Sequence, residues 1–169
     1  MYKRQLSWRA RVFDFTTKFI ELAADTNLRM ADYVRTRVGD LLNDHGKALS
    51  GARVLCYGAS FKPKVSDMRN SRAVRVIELL AETGAEVRYH DPRVDSIELG
   101  HEGRLAAEHA GRVLKSVDFS PAEVASADIV VLLVAHPELP AELLLDGPTL
   151  VFDAVNALKR PSSGRIERL

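Results

Sequence analysis

Lys62 and Arg69 are two cations in a polar loop that follows an apolar run and precedes a helix-like segment. The stretch Gly58-Ala59-Ser60-Phe61-Lys62-Pro63 therefore stands where many α/β proteins hold phosphate, between a strand and the start of a helix. Lysine suits phosphate as a point charge. The plainer reading is that both cations are solvated loop charges, and spacing alone does not decide between the two. The loop is not a dinucleotide fingerprint, because Gly58 has no glycine two or five positions on. Asp91 follows the second strand-like run, as a ribose-binding acid would, but it comes 33 residues after Gly58 rather than about 20.

Other reactive residue types are sparse. Cys56, the single cysteine, excludes an internal disulfide framework and a cysteine zinc cluster. It lies among Val54, Leu55 and Tyr57 in an apolar run, and a buried thiol without a cation or base beside it is inert. Its expected role is structural. No metal cluster emerges from the five histidines, since His101 and His109 are too far apart for one helical turn and lack evident partners. His136 follows a strand end at the edge where ligands bind, yet a lone loop histidine is usually structural. Ser71 reads as a helix cap rather than a ligand.

The elements that must position these residues follow from periodicity. Residues 14–45 read as one amphipathic helix, with Phe15, Phe19, Leu22, Met30, Val34, Val38 and Leu41 mostly three or four apart. Gly46 is placed just past its end. Such a helix is about 45 Å long, more than one small sheet can cover, so part of its stripe should face another chain or domain. Strands are expected at 53–57, 85–90, 114–117, 128–134 and 149–152. Helices are expected at 71–83, from Ser120-Pro121 onward, and near 138–145. Residues 94–112 read as a loop with a short helix. The run from Asp128 to Val134 is the most apolar and should be a central strand. Strands alternating with helices predict a Rossmann-like α/β fold, a doubly wound parallel sheet with ligands beyond the carboxyl ends of its strands. The expected organisation is a poorly ordered remnant over 1–13, the long helix over 14–46, and the α/β domain over 51–169.

Bulk properties narrow the class. The 169 residues suit one α/β domain plus a flanking element, and 46% are hydrophobic, enough for an ordinary core. A net charge of +1 with interspersed acids gives no basic stripe for nucleic acid. No segment is long and apolar enough to cross a membrane, and no charged-then-apolar leader is visible. A cytoplasmic protein is the expectation.

Several segments together carry a resemblance. Val54-Leu55-Cys56-Tyr57-Gly58-Ala59-Ser60-Phe61-Lys62-Pro63 is followed by Asp67-Met68-Arg69-Asn70-Ser71-Arg72-Ala73, then Gly84-Ala85 and Tyr89-His90-Asp91-Pro92. Downstream come Ala127-Asp128, His136 and Asp153-Ala154-Val155-Asn156-Ala157-Leu158. Upstream stand Leu6-Ser7-Trp8-Arg9-Ala10-Arg11, Phe19-Ile20-Glu21-Leu22-Ala23 and Asn27. In this order they resemble the UDP-glucose/GDP-mannose dehydrogenase family, from Leu6 nearly to the end. The Trp8-Arg9-Ala10 segment is most similar to the branches that form UDP-N-acetylhexosaminuronate and UDP-glucuronate.

The resemblance implies a carboxy-terminal domain that binds the UDP part of a UDP-sugar, and a central helical segment that makes a homodimer. It also implies an amino-terminal Rossmann domain that binds most of the NAD. Phe61 and Lys62 would contact the substrate nucleotide, Lys62 through the pyrophosphate. Arg69 would lie at the domain interface near the NAD, and Asp91 would belong to a structural Asp-Pro turn. The family's nucleophilic cysteine and catalytic lysine match positions upstream of Leu6, so no catalytic residue is assigned here and the chain alone is expected to be inactive. Met1 to Gln5 do not fit the pattern and read as an incidental start on a shortened reading frame. Val155 stands where many members carry an arginine that helps bind UDP, and Ser66 and Asn70 replace common acids. Two other readings compete. One is a non-catalytic nucleotide-sugar-binding or dimerising module. The other is a response-regulator-like domain, which needs an acidic pair at its strand ends, whereas the first strand here ends in Tyr57-Gly58.

Overall fold

Apolar residues three and four apart make α1 (Lys18–Asp44) amphipathic, and its carboxy-terminal half uses them. Ala31, Val34, Val38, Leu41 and Leu42 are buried in a core shared with the sheet and the next helix. The helix stops where Gly46 adopts a left-handed φ of 71° and the Lys47 N–H donates to the Leu42 carbonyl at 2.9 Å. Its amino-terminal half runs past the domain, leaving Phe19 82% and Leu22 63% exposed.

The computed structural model describes residues 17–100, 111–159 and 165–169; the expected remnant over 1–13 and the first residues of the long helix lie outside them. After α1 come β1 (Arg53–Tyr57), α2 (Arg72–Glu82), β2 (Glu86–His90), β3 (Ser96–Glu98) and β4 (Val113–Lys115). They are followed by α3 (Pro121–Ser126), β5 (Ile129–Leu132), α4 (Glu142–Leu145), β6 (Leu150–Asp153) and β7 (Ile166–Arg168). The main sheet is wholly parallel in the order β2-β1-β5-β6-β7. This is the expected doubly wound α/β fold.

Alternation sorts the strand residues onto two faces. Val54, Cys56, Val131 and Phe152 pack with α1 and α2. Leu55, Tyr57, Val130, Leu132 and Val151 pack with the α3 and α4 side. Every residue of β5 is buried, which suits its central place and its uninterrupted apolar run. Ser120 caps α3 by accepting from the Glu123 N–H, with Pro121 in the first turn.

Two parts differ from the expectation. Residues 96–98 form a strand, not a loop, because Ile97 is buried and pairs with Leu114 in a small antiparallel hairpin; residues 101–110, where a short helix is expected, lie outside the described residues. The strand β7 has no counterpart in the sequence reading. Ile166-Glu167-Arg168 is too short and too charged to signal a strand, yet it pairs with β6, and Glu167 meets Arg37 of α1 at 3.1 Å.

At the amino-terminal edge of the sheet, Asp128 ties α1 to β1 and β5. It accepts from Arg53 Nη2 at 3.0 Å, Lys47 Nζ at 2.6 Å and the Arg53 N–H at 2.8 Å. Those donors, the Arg53 side chain first, hold its carboxyl well below the usual carboxylate range.

Candidate functional site

In the order β2-β1-β5-β6-β7, the chain leaves β1 toward β2 on one side and reaches β5 on the other. The loops after β1 and β5 therefore diverge at the carboxyl edge, and such a switch point is where open α/β sheets bind ligands. Gly58 sits there with φ 95°, its N–H donating to the His90 carbonyl at 2.7 Å. A Cβ at this position would lie 2.5 Å from Val134 Cβ. Only glycine lets the two loops approach this closely.

A buried cluster fixes the loop that follows. Asp91 Oδ2 accepts from the N–H groups of Ala59 at 2.7 Å and Ser60 at 2.9 Å, and Oδ1 accepts from Arg93 at 2.8 Å. His136 Nε2 stands 3.1 Å from both Asp91 Oδ2 and Ser60 Oγ. The Lys64 N–H donates to His136 Nδ1 at 3.4 Å, which leaves the ring proton on Nε2, facing the carboxylate. Burial pushes the Asp91 carboxyl up, but the three backbone donors and His136 outweigh it and leave it below its ordinary value. The Ser60 hydroxyl donates to the Lys62 carbonyl at 3.2 Å, Phe61 N–H to the Asp67 carbonyl at 2.7 Å, and Ser71 Oγ to the Ala59 carbonyl at 2.7 Å.

Serine, histidine and aspartate thus meet, but not as a nucleophilic set. Both Ser60 and Asp91 address the same ring nitrogen, so His136 cannot relay a proton between them. All three side chains are buried. Their role is to hold the loops after β1, β2 and β5 in one register. Asp153 does the same after β6, accepting from the N–H groups of Val155, Ala157 and Leu158.

The residues singled out in the sequence fall as follows. Phe61 is 57% exposed and Lys62 is exposed, on the loop closed by the Phe61–Asp67 hydrogen bond. Arg69 lies further along the same loop, 82% exposed, with Asp67 gripping its guanidinium at 2.9 and 3.0 Å. Ser71 caps α2, accepting from the Val74 N–H. Cys56 is fully buried, which pushes its thiol up to about 12. Val155 is 38% exposed. Among the described residues, no His/Cys/Asp/Glu group could hold a metal ion.

Two hollows adjoin this loop. A cleft of about 200 Å³ opens at the switch point, between Ser60-Phe61, the first turn of α2 and Leu133-Val134, with Asn27 of α1 on its rim. A larger one of about 630 Å³ lies between Arg69, Val74 and Ile97. The first is at the place the topology favours, and the second has both its arginines, Arg69 and Arg75, already paired with acids. The sequence reading placed Asn27 in the family pattern but gave it no site role, because nothing in a helical repeat says which turn of α1 crosses the cleft.

The sequence pattern of the UDP-glucose/GDP-mannose dehydrogenase family, UDP binding domain, matches residues 55–160. The chain belongs to this family. A UDP-N-acetyl-D-mannosamine dehydrogenase of Yersinia pestis is 30% identical over 115 residues, 68% of this chain and 25% of that protein. A putative UDP-glucose 6-dehydrogenase of Bacillus subtilis is 48% identical over 46 residues, 27% of this chain and 11% of that one. The chain thus spans about a quarter or less of the length of these relatives. Among solved structures, a UDP-glucose dehydrogenase from Pyrobaculum islandicum superposes with a TM-score of 0.71 at 24% identity, over 98% of this chain and 35% of that one. A GDP-mannose dehydrogenase from Pseudomonas aeruginosa gives 0.71 at 23% identity, over 98% and 37%. These two likenesses carry the fold, and the family match carries the membership: members of this dehydrogenase family are oxidoreductases, and the part matched here is its UDP-binding domain.

Proposed function

We propose that this chain is the carboxy-terminal, substrate-holding part of a UDP-sugar 6-dehydrogenase. In this reading it binds the UDP moiety while the C6 alcohol of the sugar is oxidised to a carboxylate elsewhere in the enzyme. The product would be a uronic acid precursor for surface polysaccharide, made in the cytoplasm. The observation that carries the reading is the coincidence of the UDP-binding match with the switch-point loop bearing Phe61 and Lys62.

NAD, which the family implies as oxidant, does not fit the edge of this sheet. The one acid placed like a ribose-binding residue, Asp91, has its carboxylate engaged by three backbone N–H groups and His136. The β1 loop also lacks the glycine spacing a pyrophosphate needs. NAD would bind mainly to another domain and meet this chain only near Arg69. Cys56 is buried with its thiol protonated at neutral pH, so it supplies no nucleophile for a covalent intermediate. These 169 residues on their own would then hold nucleotide without reducing NAD.

The partner reading is a homodimer through α1, supported by the exposure of Phe19 and Leu22 on one face of the helix. No helix among the described residues is long and apolar enough to cross a membrane.

Calorimetric titration tests the functional reading. UDP should bind the purified chain, and NAD should give no heat of binding at the same concentrations. Saturable NAD binding without UDP binding would reverse the assignment.

A further inference from the structure

We infer that Lys64 is a second cation for the diphosphate, held ready by the buried His136–Asp91–Ser60 cluster; this rests on the UDP-binding reading above.

The backbone singles Lys64 out. Among the described residues, three other than glycine have a positive φ: Lys64 at 67°, Asn70 at 59° and Asn156 at 51°. Asparagine has a local polar reason to sit in that region, whereas a lysine gains nothing intrinsic from it. Strain of this kind persists where surrounding contacts hold it, and it clusters at functional sites. Here hydrogen bonds supply those contacts. The Lys64 N–H reaches Nδ1 of His136, whose other nitrogen is fixed by Asp91. On the other side of Pro63, the Lys62 carbonyl accepts from Ser60 Oγ. The backbone is pinned at both lysines from the protein side, while both side chains stay exposed.

Charge points the same way. A diphosphate ester carries more than one negative charge, so one lysine leaves it incompletely matched. Arg69 is taken by Asp67 and Arg93 by Glu138. The loop after β5 runs Leu133-Val134-Ala135-His136-Pro137-Glu138 without a cation, and the one after β6 reaches its first, Lys159, six residues past Asp153. Arg72 in the first turn of α2 lines the cleft as a further cation. Lys62 and Lys64 make no ion pair with any described residue, and they flank one proline at the switch point. His136 is then a positioning residue, acting through the Lys64 backbone.

Substitution separates charge from strain. Lys64→Asn keeps a residue suited to the left-handed conformation and removes the cation; Lys64→Arg keeps the cation. With UDP as the probe and the whole chain as the sample, Lys64→Asn should melt at the same temperature as wild type or a few degrees higher. It should bind UDP at least about tenfold more weakly, the lower end for a charge-assisted contact, and with a shallower dependence on salt. Lys64→Arg should stay within about threefold of wild type. Unchanged affinity in Lys64→Asn, with wild type binding UDP, would overturn this inference and leave the UDP reading intact. A markedly lower melting temperature in Lys64→Asn would also overturn it, by assigning the side chain to folding. Wild type that binds no UDP would remove both.

Discussion

Lys62, in the loop after β1, and Asp91, in the loop after β2, do opposite kinds of work. Asp91 is spent inward: each of its oxygens is occupied by loop N–H groups, and its negative charge stabilises backbone instead of ligand. Lys62 is left outward, exposed and without an ion partner among the described residues. If its amine meets the pyrophosphate, Lys62→Ala should weaken UDP binding by about 1.5–3 kcal/mol, measured by calorimetry, with little change in melting temperature. Equal affinity in the two proteins would return Lys62 to a solvated charge. At this scale the sequence was informative about types and weak about company. Asp91 as a turn residue came from the family resemblance, whereas Cys56 as an inert core thiol and Ser71 as a cap could be argued from neighbours in the chain. That Asp91, Ser60 and His136 converge could not, since 31 and 45 residues separate Asp91 from its two partners.

The elements transmit these placements, and two of them invite measurement. Asp128 joins the end of α1 to β1 and β5 through donors that keep its carboxyl below the usual range. A carboxyl lowered by folding contributes stability that is complete above its unfolded pKa of about 3.9 and is lost as pH falls below it. Asp91 acts in the same direction. Urea midpoints should therefore hold steady from about pH 8 to 5 and fall below about pH 4. Asp128→Asn should cost about 1–2 kcal/mol at neutral pH, discounted because Lys47 and Arg53 are half exposed and can resolvate. It should also flatten the acid limb; an acid limb parallel to wild type would place the effect elsewhere. The second element is α1. Its stripe was legible as too long for one sheet, and the structure shows where it runs out: Ala31 to Leu42 pack inward while Phe19 and Leu22 do not. Two copies pairing along that overhang would bury both residues about a two-fold axis. Sedimentation should give a dimer at tens of micromolar, and Phe19→Asp with Leu22→Asp should give a folded monomer. An unmodified chain that sediments as a clean monomer would end the dimer proposal. The illegible elements were β3 and β7, which are three residues long and owe their existence to partners, Leu114 and β6.

Across the whole molecule, the fold class was readable because alternating strands and helices admit few topologies. The order of the strands was not. What sets it is that β5, buried on both faces, inserts beside β1 with Val54 opposite Ile129 and Tyr57 opposite Leu132. That insertion creates the switch point, brings His136 against Ser60, and turns an ordinary loop after β1 into the edge where a nucleotide can lie. The central claim is that the nucleotide lies there, and amide-resolved NMR during a UDP titration tests it most directly. Saturable shifts are expected in the N–H groups of residues 58–62, 64 and 133–136, with the opposite edge around Arg53 and Asp128 unmoved. Shifts confined to that opposite edge or to the hollow between Val74 and Ile97, or no shifts at any UDP concentration, would contradict it.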